Sequence, residues 1–429
     1  MTNNNFNPTL DYAKSLDEND SLSSFKKRFY PLENNQIYMD GNSLGLASID
    51  AEKALLRVME VWKKQGILIW NTDEGHYFNY GKKLGARLAK LIKANSDEVI
   101  VTANTTLNIH QIIATFWKPT KQRYKILVDD LNFPTDRYAI DSQIKLKGMQ
   151  VEDVIKVISS KDGMFLDEQS IIDAMTEDVA IVLLPSVLYR SAQLLDLDKL
   201  TKEAHRRGII IGFDLCHSIG AVEHDFNLVQ PDFAIWCNYK YLSAGPGATA
   251  GIYVNRKHFG REIGLAGWFG NSDETQFELK YNFEQAADIK AFQTGTPNMF
   301  SMAPLEGILD IYQEAGMDRI RKKSLMLTAY LMYLIDHKLS QWGYSYISQQ
   351  QDECRGGHVA LVHKQAYRIC LALKERNFIP DYREPDIIRL APVALYNTFE
   401  EVYLLVEELA LIAQDQVWEK FSTHKSIVT

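Results

Sequence analysis

The sequence predicts an α/β protein: a large domain with a mostly parallel mixed sheet flanked by helices, plus a smaller α+β carboxyl-terminal domain. Three observations carry that reading. Short apolar runs alternate with amphipathic stretches between about residues 99 and 237, the rhythm of strand–helix–strand units. Two neighbouring runs, 209–213 and 233–237, lead directly into charged residues, Asp214 and Lys240, as strands do where a sheet opens on a ligand crevice. From about residue 289 the pattern shifts to long amphipathic helices and weaker strands.

Taken in order, the elements have local reasons. The lead is polar, with a short helix over 21–29, and Tyr38-Met39-Asp40-Gly41-Asn42-Ser43-Leu44-Gly45 places glycines at a tight turn. A helix over 49–65 puts Ala54, Leu55, Val58, Val61 and Trp62 on one face, and one over 80–93 carries Leu84, Leu88 and Leu91. A strand over 99–102 runs into Thr105-Thr106-Leu107-Asn108, a helix start whose hydroxyls and free N–H groups suit a phosphate, or else a simple N-cap by Thr105. Further strands fall at 124–128, 154–157 and 180–184, with helices after Pro134 and over 167–175 and 197–207. Beyond a loop at Gly295-Thr296-Pro297-Asn298 come helices over 305–314, 317–338 and 400–421 and weak strands over 357–362 and 387–390. These boundaries divide the chain into an N-terminal segment over 1–45 that packs with the small domain, a large domain over 46–288 and a small domain over 289–429.

Composition narrows the function classes. Of 429 residues, 46% are hydrophobic and 24% charged, which places the chain among ordinary globular proteins with room for a large core. A net charge of −8 with no long basic run argues against nucleic acid and anionic membrane as partners. The first thirty residues are polar and acidic, and no apolar run approaches the roughly 18 residues of a spanning helix, so a cytoplasmic location is expected. Cys216, Cys237, Cys354 and Cys370 lack C-x-x-C spacing, so neither a disulfide framework nor a zinc site is expected, and no metal is assigned.

The chemistry concentrates between residues 208 and 251. A carboxylate and a lysine at neighbouring strand ends cannot both be buried without partners, since either charge alone is costly in the core. A lysine amine condenses with an aldehyde, and a carboxylate against a pyridine nitrogen keeps that ring protonated, the pairing that pyridoxal phosphate needs. The plainer alternative is a solvated loop lysine and a helix-capping aspartate. Against it, His217 stands beside the carboxylate and Tyr239 beside the lysine.

Asp214-Leu215-Cys216-His217-Ser218-Ile219-Gly220, the run from Asp232 to Leu242, and Gly245-Pro246-Gly247 strongly resemble kynureninases, fold type I pyridoxal-phosphate enzymes. So do Gly41 to Gly45, Asn132 to Asp136, Gly267 to Gly270 and Arg389 to Asn397, so the resemblance covers nearly the whole chain in order.

The resemblance implies pyridoxal 5'-phosphate as cofactor, an amino-acid substrate and a homodimer with composite active sites. It implies Lys240, Tyr239 and Asp214 as catalytic residues, with Thr105, Thr106, Phe133, Asp136, Ser186, His217, Trp268 and Thr296 completing the cofactor site. Thr296 would come from the other subunit. Arg389, a guanidinium within an apolar run, suits a bidentate clamp on a substrate carboxylate; a structural ion pair with Glu384 or Asp386 is the alternative. Asn271 would face the substrate.

The implied reaction is hydrolysis of L-kynurenine or its 3-hydroxy form. Another enzyme on the same scaffold (a desulfurase, C–S lyase or transaminase) and a non-catalytic scaffold are the competing readings. The chain departs from the family at Pro185, where a threonine or serine is usual and Ser186 stands adjacent, at Tyr189 to Ala192, at Asn271, often histidine, and at Asn71 to Asn79.

Overall fold

The computed structural model describes residues 6–424. Its thirteen strands are β1 (Ile37–Tyr38), β2 (Val99–Val101), β3 (Lys125–Asp129), β4 (Ile155–Ile158), β5 (Val179–Pro185), β6 (Ile210–Asp214), β7 (Phe233–Trp236), β8 (Gly251–Val254), β9 (Ser345–Tyr346), β10 (Val359–Val362), β11 (Phe378–Ile379), β12 (Asp381–Arg383) and β13 (Ile387–Leu390). Seven form one sheet in the order β2-β8-β7-β6-β5-β3-β4. Pairs β3/β4, β3/β5, β5/β6 and β6/β7 are parallel, and β8 runs antiparallel to both its neighbours.

Period-two burial explains why helices cover both faces of this sheet. Val99, Leu127, Val182, Ile211 and Ala234 join an apolar cluster on one side, while Ile100, Ile126, Ile181, Phe233 and Ile235 join another on the opposite side. Helix Thr105–Phe116 supplies Ile109, Ile112 and Ile113 to the second cluster, and Met299–Ala315 supplies Met302, Leu305 and Ile308 to the first.

A second, antiparallel sheet has the order β12-β13-β10-β9. A third apolar cluster, with Leu327, Leu331, Leu361, Ile388, Leu390, Val402 and Leu409, surrounds it and takes in Ala13 and Met39 from the amino-terminal segment. That segment is tied in by backbone as well: β1 pairs in parallel with β11, and Asp40 bridges to Ala391.

Most boundaries lie within a residue or two of the sequence expectation, and helices Ile49–Gln65 and Met317–Lys338 coincide with it. The differences have local causes. Helix Leu10–Glu18 forms where a merely polar lead was expected; Thr9 caps it and Ala13 packs into the third cluster. The segment expected as a helix over 21–29 is 3-10 over Ser23–Arg28. Helix Met299–Ala315 starts earlier than expected and carries Pro304 internally, at its sixth residue. Strand β8 follows a glycine-rich turn and spans four residues, too few to show a period.

Candidate active site

The two charges singled out by the sequence meet at the carboxyl edge of the large sheet. Asp214 ends β6, and Lys240 follows β7, the strand paired beside it. Both line a cavity of about 670 Å³. Its other walls are the start of helix Thr105–Phe116, the loop carrying Phe133 and Thr135, the turn holding Asn42 and Ser43, Tyr189, and Arg383 and Arg389 from the small sheet. The turn reaches the lysine loop because residue 45 is glycine: the Gly45 N–H donates to the Tyr239 carbonyl at 2.8 Å. A Cβ there would collide with the Lys240 carbonyl and the Ser243 side chain.

Asp214 is 6% exposed and accepts the Cys216 N–H at 2.7 Å. Burial raises its carboxyl above the ordinary value, and the Cys216 contact and the Lys240 charge oppose that only in part. The Lys240 ammonium donates to His217 Nε2 at 2.8 Å. Burial, then the Lys240 and Arg389 charges, hold His217 well below its usual value, so the ring is neutral, with its proton on Nδ1. That Nδ1 is buried and finds no partner among the described residues. Burial keeps the Tyr239 phenol protonated, far above its usual value, and Tyr239 lines the same cavity.

Thr105 and Thr106 open the helix that faces the cavity. Asn104, rather than Thr105, is the cap: its side chain accepts the Leu107 N–H at 3.0 Å. Earlier N–H groups of a first turn have no acceptor inside a helix, so those of Thr105 and Thr106 are available to an anion. The Thr106 hydroxyl pairs with that of Thr135 at 2.8 Å. Phe133 is 45% exposed and meets Tyr189 edge-on, ring centroids 5.7 Å apart, on the cavity wall. Asp136 lies just behind, buried, with Oδ2 accepting the Asn132 amide at 2.7 Å and Oδ1 without a partner among the described residues. Burial, then Asp214 and Asp129, raise its carboxyl well above the usual range.

Arg389 is 1% exposed yet reaches the cavity. Its Nε donates to Asp381, Nη1 to the Tyr189 carbonyl at 2.9 Å and Nη2 to the Ser43 hydroxyl at 2.9 Å. The ion-pair partner is thus Asp381 across the β12/β13 register, not Glu384 or Asp386. Of five guanidinium N–H groups three are used, leaving one on each terminal nitrogen.

Some residues stand elsewhere. Ser186 is a correction: its hydroxyl is fully buried, bonded to the Asp214 carbonyl at 2.9 Å and to the Ser218 hydroxyl at 2.7 Å, and it does not line the cavity. Trp268, 42% exposed, donates its indole N–H to the Gln276 carbonyl at 2.9 Å, and Asn271 bonds to the Trp268 carbonyl and the Glu284 N–H. Neither lines the cavity of this chain, nor does Thr296, which is exposed on its loop. The motifs Gly41 to Gly45 and Tyr189 to Ala192 were visible in sequence, but the roles of Asn42, Ser43 and Tyr189 as lining groups, and of Asp381, Arg383 and Asn104, were not. Both polar atoms of the Asn42 side chain are buried with no partner among the described residues, which suits a bound ligand.

The fold defines the class first. The chain superposes on the apo cysteine desulfurase from Thermococcus onnurineus NA1 with a TM-score of 0.77 at 17% identity, covering 91% of this chain and 98% of that one. It matches the cystine C–S lyase C-DES in complex with cysteine persulfide at TM-score 0.76 and 17% identity, covering 88% of this chain and 98% of that one. The fold is therefore shared with these enzymes, in keeping with the fold type I architecture that the motifs imply. A family model for the kynureninase C-terminal domain matches residues 320–409. Kynureninase from Geobacillus thermodenitrificans (strain NG80-2) is 50% identical over 428 residues, covering 100% of both chains, and that from Bacillus cereus (strain ZK / E33L) is 51% identical over 423 residues, covering 99% of each. The chain belongs to the kynureninase family.

Proposed function

We propose that the cavity holds pyridoxal 5'-phosphate and that the protein hydrolyses the Cβ–Cγ bond of L-kynurenine, 3-hydroxy-L-kynurenine or both. The products are anthranilate or 3-hydroxyanthranilate and L-alanine, a step of tryptophan catabolism. The carrying observation is that full-length likeness to kynureninases coincides with one cavity shared by Lys240, Asp214 and Arg389.

The residues present fit the coenzyme. Lys240 supplies the amine for its aldehyde, Asp214 an anion for its ring nitrogen, and the Thr105–Thr106 helix start donors for its phosphate. Phe133 and His217, both on the cavity wall, would hold the ring between them, and Asp136 would support the site from its buried position. When bound, the coenzyme supplies an electron sink for charge developing at the substrate's Cα. Everything else falls to the chain. Arg389 offers its two remaining N–H groups, one on each terminal nitrogen, to the α-carboxylate and so sets which Cα substituent faces Lys240. Lys240, held by neutral His217, takes the α-proton. Tyr239, kept protonated by burial, relays a proton to the alanyl carbon once water has added to the γ-carbonyl.

Trp268 and Thr296, which do not line this chain's own cavity, belong in the proposed homodimer to the partner's cofactor site. The division at residues 46 and 289, the cytoplasmic location and a contribution to NAD biosynthesis are part of the same proposal; among the described residues no helix is long and apolar enough to cross a membrane. A desulfurase reading gains no support from Cys354, at the end of the 3-10 turn Asp352–Cys354. It lies in a separate depression with Glu168 and Leu194, and burial raises its thiol. The test is direct: purified protein with L-kynurenine should release fluorescent anthranilate and alanine in equal amounts. Turnover of cysteine instead would overturn the proposal.

A further inference from the structure

The carboxylate end of the cavity holds more charge than a clamp requires. Asp381 Oδ2 accepts the Nε of Arg389 and, at 2.9 Å, the Nε of Arg383, and both arginines line the cavity. A second carboxylate, Asp40, stands behind them. It is placed by the bridge to Ala391 and by the Ala391 N–H donating to the Met39 carbonyl at 2.8 Å. Its Oδ1 is buried without a partner among the described residues. Its link to the cavity runs through Ser43, whose N–H donates to the Asp40 carbonyl at 3.0 Å and whose hydroxyl accepts Arg389 Nη2 at 2.9 Å.

We propose that Asp40 is a positioning residue for the substrate's carboxylate, taking up a proton when that anion seats on Arg389. The inference rests on the reading of Arg389 as the carboxylate clamp and goes one step beyond it.

The argument is one of charge. With Asp40 ionised, two guanidinium groups face two carboxylates and the quartet is neutral; with Asp40 protonated it carries one net positive charge. A third carboxylate entering this poorly solvated corner repels an ionised Asp40, and protonation removes the repulsion. The other groups facing Asp40 do not compensate. Tyr38 donates its hydroxyl to the Leu44 carbonyl, and burial keeps Tyr38, Tyr241 and Cys370 protonated and neutral. Burial, then Asp381, already pushes the Asp40 carboxyl up to about 6, against Ser43, Arg389 and Arg383, so it is poised to change state near neutral pH.

The probe is 4-oxo-4-phenylbutanoate, which keeps the carboxylate, γ-carbonyl and ring but has no amine to react with the coenzyme. Its inhibition constant on the holoenzyme should rise about tenfold between pH 6 and pH 8. Calorimetry at pH 7 in two buffers of different ionisation enthalpy should show net proton uptake, and this needs no variant. In Asp40→Asn the constant should stay flat over that range and the uptake vanish. No proton exchange in the unmodified holoenzyme, or an unchanged pH slope in Asp40→Asn, overturns the role of Asp40. Arg389→Gln separates the two layers: if it binds the probe as tightly as the unmodified protein, the clamp fails and the role of Asp40 with it. If it binds weakly while the unmodified holoenzyme shows no pH slope, Asp40 alone fails.

Discussion

Two buried aspartates lie at opposite ends of neighbouring strands in one sheet. Asp232 precedes β7 at its amino end, 3% exposed in its side chain, and accepts His205 Nε2 at 3.1 Å, His258 Nε2 at 2.7 Å, Lys257 Nζ at 2.7 Å and the Ile211 N–H at 2.8 Å. Despite burial, those donors hold its carboxyl far below the usual range. Asp214, at the carboxyl end of β6, has the Cys216 contact and the Lys240 charge, and burial still raises its carboxyl. The same residue type in the same sheet is thus saturated by the chain in one place and left short of partners in the other. A saturated carboxylate is a structural fastener; an under-satisfied one at the ligand edge of a sheet is a socket for a cation that arrives with a ligand.

That contrast can be broken, and the sharpest attempt is at the amine beside the socket. Lys240→Ala should lower kcat with L-kynurenine by about 10⁴-fold or more while urea unfolding of the coenzyme-free protein stays within about 1 kcal/mol of the unmodified chain. Asp214→Asn should cost about 10³-fold in kcat yet leave the coenzyme-free protein as stable or more so at pH 7. The sign follows from linkage. A raised carboxyl favours the folded chain at low pH, and that contribution is lost as pH rises from about 4 through the folded value. Asp232→Asn should do the reverse, costing about 3 kcal/mol of stability with kcat retained at low temperature. Because the Asp232 carboxyl is lowered, its stabilisation is present above pH of about 4 and is lost as pH falls further; the unmodified chain should therefore lose stability steeply below about pH 4, while Asp232→Asn, already less stable at pH 7, should show a shallower pH slope there. Ser186→Ala should have the smallest effect, about 1 kcal/mol, with no change in KM, because its hydroxyl holds the Asp214 carbonyl from behind. A raised KM in that variant would restore Ser186 to the ligand side.

Much of this contrast was legible in the residues, and part was not. Asp214 and Lys240 stood out because each follows an apolar run that has to be a strand, and adjacent parallel strands deliver their carboxyl ends to one edge. Arg389 stood out because a guanidinium inside an apolar run needs an anion. Its partner was misjudged: Glu384 and Asp386 are nearer along the chain, but antiparallel pairing sets Asp381 opposite Arg389. Ser186 was misjudged in the same way, since adjacency to Pro185 says nothing about which side of the strand end a hydroxyl faces. The Asp232 cluster is not legible in the sequence, because its histidines and lysine come from two elements on either side of it in the chain, helix Leu197–Arg206 and the turn Arg256–His258.

By itself the sequence determined the alternation of elements, the family motifs and the identity of the groups able to do chemistry, because periodicity and residue type are local properties. Only the tertiary structure decided which carboxylate was fully paired, which arginine N–H groups remained free, and that Asp40 stands behind Arg389. Those facts depend on residues from distant parts of the chain sharing one poorly solvated space, where the balance of desolvation against available partners sets every charge.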